Sequence, residues 1–107
     1  MKSSTMTRLS PRQQVLRDCL GENYTQKWID GETVIYRDLG DYDIEISGGH
    51  GRSRRVGVYV WEKRAGWPIL VEQHPHLPQD HRMLKRLLED ISERYMKEGG
   101  HKLCVRR

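Results

Sequence analysis

One short segment of this chain concentrates residue types that bind phosphate. Residues 48–55 read GGHGRSRR, so three arginines and one histidine stand among glycines. Guanidinium groups bind phosphate oxygens in pairs, and glycine lets the backbone approach a ligand closely. We therefore predict a loop that contacts the phosphates of DNA or RNA, helped by a basic tail at residues 102–107. The residues predicted to bind nucleic acid are His50, Arg52, Arg54, Arg55, Lys63 and Arg64.

The arginines of this loop have a second interpretation. Two acids, Asp43 and Glu45, precede the loop by only a few residues. A solvated hairpin whose arginines neutralise that acidic strand would need no ligand. The two interpretations differ in where the guanidinium groups point, which the sequence leaves open.

Aromatic residues form a second feature with a chemical interpretation. Within residues 55–62, Tyr59 and Trp61 alternate with valines, so both rings lie on one face of a strand. On an open sheet face such rings can stack on bases or anchor a protein partner, whereas on a covered face they are core or an oligomer contact. As the alternative to nucleic-acid binding, we predict a protein-interaction or inhibitor domain whose interface, with a partner protein or a second copy of the chain, includes Tyr59, Trp61 and Trp67.

Metal binding and catalysis are not predicted for this chain. Residues 74–81 read HPHLPQDH and contain metal-ligand types, but two prolines stiffen the segment and it has no helical His-x-x-x-His spacing. Two serines, Ser47 and Ser53, lie near His50 without a strand–turn–helix elbow around them. We therefore expect no metal, no cofactor and no enzymatic activity. The metal-ligand types considered are His74, His76, Asp80 and His81.

Composition predicts one small domain with a strongly charged surface. The chain has 107 residues, of which 36% are hydrophobic and 32% charged, and its net charge is +4. Residues 21–47 hold seven acids and two bases, whereas residues 48–64 hold five bases and one acid. This segregation favours a charged partner. With no apolar run of membrane length, no signal-peptide pattern and only two distant cysteines, we expect a cytoplasmic protein without membrane contact.

Two helices are predicted, one near each end of the chain. Residues 78–97 carry apolar side chains at steps of three and four, and Gly99-Gly100 is expected to end this long helix. A shorter helix starts at Ser10, where Pro11 fits the first turn and Gln13 can complete a capping box. The apolar stripe of the long helix consists of Leu84, Leu87, Leu88, Ile91 and Tyr95.

The residues between the helices predict an antiparallel sheet. Asp30-Gly31 suits a two-residue hairpin turn between 24–29 and 32–37, and residues 42–47 alternate apolar with polar. The strongest strand is 55–62, and 68–74 follows as the last strand, joined to the long helix by residues 74–81. The predicted class is α+β: a short N-terminal helix, a meander of four to five antiparallel strands, and a long C-terminal amphipathic helix packed on one sheet face. The predicted domains are a flexible segment at 1–9, one folded domain at 10–98 and a basic tail at 99–107.

Overall fold

The fold contains two helices and one five-stranded sheet. We describe the protein from a computed structural model, which describes residues 8–48, 54–64 and 66–101, with side chains as far as residue 96. The strands follow the order β1-β2-β3-β4-β5, and each neighbouring pair is antiparallel, so the predicted α+β class and meander are confirmed. The elements are α1 (Pro11–Leu20), β1 (Thr25–Ile29), β2 (Glu32–Asp38), β3 (Tyr42–Gly48), β4 (Arg55–Glu62), β5 (Ile69–Pro78) and α2 (His81–His101).

The capping box at the start of α1 also attaches this helix to the sheet. Gln13 N donates to Ser10 Oγ at 3.2 Å, and Ser10 N donates to Gln13 Oε1 at 2.7 Å. The Gln13 amide nitrogen donates further to the carbonyls of Thr33 and Gly48, at 3.2 and 2.9 Å. Because Gln13 is only 3% exposed, these bonds form away from water and fix the start of α1 over β2 and β3.

The β1–β2 hairpin follows from its turn residues. Asp30 and Gly31 have φ angles of 50° and 83°, which are the left-handed values that a two-residue hairpin turn of this kind requires. Ile29 therefore pairs directly with Glu32. This turn was predicted from the dipeptide and is confirmed.

One hydrophobic core joins both helices to one face of the sheet. In the central strands, Ile44 pairs with Val60 and Ile46 with Val58, so these four side chains lie on the same face. The predicted apolar stripe of α2 belongs to the same cluster, with Leu87 and Tyr95 at its margin. Leu9, expected in the flexible segment, is also in the core. The buried cluster comprises Leu9, Leu16, Tyr24, Ile35, Leu39, Ile44, Ile46, Val56, Val58, Val60, Leu84, Leu88 and Ile91.

The last strand is longer than predicted. β5 runs from Ile69 to Pro78, so residues 75–78 belong to the sheet and are not a linker. The prolines of this segment are compatible with a strand because β5 is an edge strand. The pairing with β4 is irregular between Val56 and Val58, and His76 has a φ of 60°. These features indicate a β-bulge, at which the regular pairing of β4 with β5 is interrupted.

The boundaries of α2 also differ from the prediction. The helix starts at His81, because Asp80 Oδ1 accepts hydrogen bonds from the backbone N–H groups of Arg82 and Met83, at 3.0 and 3.1 Å. It ends at His101, beyond Gly99 and Gly100. A glycine costs a helix about 1 kcal/mol relative to alanine but keeps its backbone hydrogen bond, so a terminal turn can include it. No helix in the described ranges has the length and apolarity needed to cross a membrane.

Candidate functional site

Three arginines from two separate parts of the chain line one cleft at the start of α2. The cleft has a volume of about 530 Å³. Arg12 comes from the first turn of α1, whereas Arg54 and Arg55 come from the start of β4. We call this site the arginine cleft. Its lining residues are Arg12, Arg54, Arg55, Pro78, Gln79, Asp80 and His81.

Backbone contacts hold the walls of the arginine cleft together. Arg55 pairs with Pro78 at the end of the β4–β5 ladder, and Arg55 Nη1 donates to the His76 carbonyl at 3.0 Å. Gln79 N donates to the Arg54 carbonyl at 3.2 Å. The start of β4 is therefore tied to the chain that leads into α2, which places both arginines beside the helix N-terminus.

The start of α2 supplies the acid and the imidazole of the cleft. The Asp80 carboxylate already accepts the two backbone N–H groups that begin the helix. His81 Nδ1 lies 3.4 Å from the Sγ atom of Cys19, in the last turn of α1. This contact joins α1 to the start of α2 at a residue that lines the arginine cleft. With three guanidinium groups and one carboxylate, its lining carries an excess of positive charge.

Gln79 adds an uncharged polar group to the cleft. Its side-chain Nε2 and Oε1 atoms are both buried and have no hydrogen-bond partner among the described residues. Because an unsatisfied buried amide is costly, it favours any group that can pair with it.

The other predicted nucleic-acid residues lie elsewhere or outside the described ranges. Lys63 Nζ is 2.8 Å from Asp38 and 3.3 Å from Asp43, and Arg64 pairs with Glu62 at 2.8 Å. Both bases follow Glu62, the last residue of β4, which lies roughly 23 Å from Arg55 at about 3.3 Å per residue. They do not join the arginine cleft. His50 and Arg52 lie outside the described residues.

The two acids before the loop have contacts away from it. Glu45 Oε1 accepts a hydrogen bond from Trp61 Nε1 at 3.0 Å, and Asp43 pairs with Lys63. Both acids are half-buried. The alternative interpretation, in which the loop arginines neutralise this strand, gains no support from these contacts.

Two of the predicted interface aromatics, Tyr59 and Trp61, lie on the sheet face opposite the core, and Trp67 lies in the turn between β4 and β5. Tyr59 and Trp61 are half-buried, whereas Trp67 is 68% exposed. Tyr59 folds over Gly57, since a Cβ atom at Gly57 would lie only 2.5 Å from Tyr59 Oη. The glycine therefore makes room for the ring. The two described helices contribute to the core on the other side of the sheet.

The histidines of residues 74–81 contact different parts of the structure. His74 Nε2 lies 2.6 Å from Glu72 Oε2, whereas His81 contacts Cys19. His76 is exposed at the β5 bulge. Across residues 8–48, 54–64 and 66–101, no three His, Cys, Asp or Glu side chains form a group that could hold a metal ion.

Only Arg54 and Arg55 of the arginine cleft were predicted from the sequence to bind nucleic acid, and Arg12 and Gln79 are among the residues that were missed. Gln79 lay in what read as a linker, and Arg12 lay within a helix-start pattern. Arg12 nevertheless carried a signal: the first turn of α1 contains no acid, although acids are favoured there by the helix dipole. A base at that position is unfavourable for the helix alone.

Comparisons with known proteins do not assign this chain to a family. No protein-family model, curated protein or solved structure matches this chain.

Proposed function

We propose that this protein is a non-enzymatic domain that binds nucleic acid, and that the arginine cleft contacts the phosphate backbone of the nucleic acid. The observation that carries the proposal is the meeting of Arg12 with Arg54 and Arg55, three cations from distant parts of the sequence in one concave site. Guanidinium groups donate paired hydrogen bonds that match phosphate oxygens. Gln79, whose amide has no hydrogen-bond partner among the described residues, also lines the cleft.

The geometry of the cleft favours recognition of phosphates over bases. Within the described residues the cleft is lined by a strand end and two helix starts, a concave arrangement unlike the single projecting helix or β-ribbon that reads bases in a major groove. Contacts of this kind position a protein on the backbone without reading sequence. We therefore expect binding that is similar for different sequences and weakens as salt rises.

Replacing Arg12 by alanine tests whether the cleft, and not only the loop, binds nucleic acid. At about 50 mM salt the Kd for a labelled mixed-sequence duplex is expected to rise about threefold to tenfold, because one exposed phosphate contact is worth on the order of 1 kcal/mol. Fluorescence anisotropy measures the affinity, and a urea melt of the same variant confirms that it folds.

The matched control is Arg64→Ala, which removes one positive charge at the far end of β4. Its affinity should stay close to that of the unmodified protein, since Arg64 pairs with Glu62 away from the cleft. Equal weakening by both variants would show that only overall charge matters. An unmodified protein that binds neither DNA nor RNA at about 50 mM salt, where electrostatic binding is strong, would refute the proposal.

A further inference from the structure

A second concave site lies on the sheet face opposite the helices. Strand alternation brings side chains from β1, β2, β3 and β4 to this face, and Pro68 closes one side. The resulting groove has a volume of about 320 Å³. We call it the open-face groove. Its lining residues are Lys27, Ile29, Asp30, Tyr36, Asp43, Glu45, Trp61 and Pro68.

The walls of the open-face groove are aromatic. The Trp61 ring is held in place because its Nε1–H donates to Glu45 Oε1 at 3.0 Å. Tyr36 already accommodates a cation, since Lys27 Nζ lies 4.2 Å from the centre of its ring. Aromatic faces attract ammonium and guanidinium groups. The contact between Lys27 and Tyr36 is therefore a cation–π interaction within the chain, of the same kind that the groove could make with a cationic ligand.

The carboxylates of the open-face groove give it an excess of negative charge. Three acids and one base line it, and one of the acids, Asp43, is balanced by Lys63 at 3.3 Å. Glu45 has no cationic partner among the described residues, and its Oε2 atom accepts no hydrogen bond from them. This oxygen is available to a donor that enters the groove.

The electrostatic environment of Glu45 favours an incoming cation. Burial raises the pKa of the Glu45 carboxyl above its usual value, the Trp61 hydrogen bond opposes this, and the negative charges of Glu32 and Asp30 raise it further. A cation beside Glu45 would compensate for both lost hydration and repulsion. The groove thus combines an aromatic wall with an incompletely balanced carboxylate.

We propose that the open-face groove binds an arginine side chain of a partner protein, with the guanidinium group against Trp61 and hydrogen-bonded to Glu45. A guanidinium suits this site better than an ammonium because its plane stacks on an aromatic ring while its edge donates to a carboxylate. Trp67, which is 68% exposed and adjacent in sequence to Pro68, extends the surface for the rest of the partner segment. This inference is independent of the arginine cleft, which would repel the same ligand.

A peptide titration followed by NMR tests this site on the full chain. The probe is acetyl-Gly-Arg-Gly-amide, and its uncharged counterpart carries citrulline in place of arginine. The arginine peptide should shift the Trp61 indole N–H resonance in a saturable way. Trp28 lies in β1 and outside the groove lining, so its indole N–H resonance should not shift. The citrulline peptide should produce no saturable shift.

The Glu45→Gln variant removes the charge and keeps an acceptor for Trp61. It should weaken binding of the arginine peptide about tenfold, as expected for losing a partly buried charge-assisted bond. Asp18→Asn removes one acid from the exposed side of α1 and should leave the affinity unchanged. The inference is wrong if citrulline and arginine peptides shift Trp61 alike, if neither peptide shifts it at millimolar concentration, or if the folded Glu45→Gln protein binds as tightly as the unmodified one.

Discussion

Replacing Leu88 by alanine is expected to lower the free energy of unfolding by about 2–5 kcal/mol. Leu88 is 2% exposed and belongs to the same buried cluster as Val58 and Val60 of the central strand. Truncation removes buried methyl groups and leaves a cavity between α2 and the sheet, and both effects are destabilising. Urea unfolding of the two proteins gives the difference directly.

A matched control for this change lies on the same helix. Met83 is 36% exposed, so Met83→Ala shortens an apolar side chain in α2 without opening a cavity in the core. We expect it to cost well under half of what Leu88→Ala costs. A cost below about 0.5 kcal/mol for Leu88→Ala, the range of surface substitutions, would mean that α2 does not rest on this core.

Replacing Glu72 by glutamine is expected to lower the free energy of unfolding at neutral pH by about 1–2 kcal/mol. Glu72 joins the edge strand β5 to α2. Arg94 donates to both of its carboxylate oxygens at 3.0 Å, and Tyr95 Oη donates to Oε1 at 2.7 Å. His74 contacts the other oxygen. Solvent screening limits the gain, because the Arg94 side chain is 45% exposed.

The stabilisation by Glu72 should depend on pH in a defined direction. The Arg94 hydrogen bonds, followed by those of His74 and Tyr95, lower the pKa of Glu72 from 4.5 to about 2, although burial opposes this. Because the folded state holds the proton less tightly, the contribution is fully present above about pH 4.5 and is lost as pH falls towards 2. The difference between the unmodified protein and Glu72→Gln should therefore shrink over this interval.

Glu62→Gln provides the comparison, since Glu62 pairs only with the exposed Arg64 among the ion pairs of the described residues. Its effect on unfolding should be small at every pH. If the difference between the unmodified protein and Glu72→Gln were the same at pH 7 and pH 3, the carboxylate would not be linked to folding as its contacts indicate.

Local patterns in the sequence were sufficient to predict most of the fold. The capping box at Ser10 and the turn at Asp30-Gly31 depend only on neighbouring residues, so both could be located closely. Alternation in 55–62 and the stripe in α2 also identified the core faces, because burial follows the period of each element. The boundaries that failed, at His74 and Gly99, are places where the sheet or helix continues through residues that disfavour it.

The candidate site could be predicted only in part, because it depends on contacts between distant residues. Arg54 and Arg55 were identified from their loop, but Arg12 reaches them only through the packing of α1 on the sheet. Lys63 and Arg64 are near in sequence, yet a full strand separates them from the cleft. Proximity along an extended strand is a poor guide to proximity in space, since each residue adds about 3.3 Å.

The salt dependence of nucleic-acid binding tests the central claim most directly. For duplex DNA, log Kobs should fall linearly with log salt, with a slope near −0.9 for each phosphate contacted. Replacing Arg12, Arg54 and Arg55 by alanine should flatten that slope by up to about three contacts and weaken all sequences alike. The double control Lys63→Ala/Arg64→Ala should keep the original slope. A folded triple variant with an unchanged slope, or a control that flattens equally, would contradict phosphate binding in the arginine cleft.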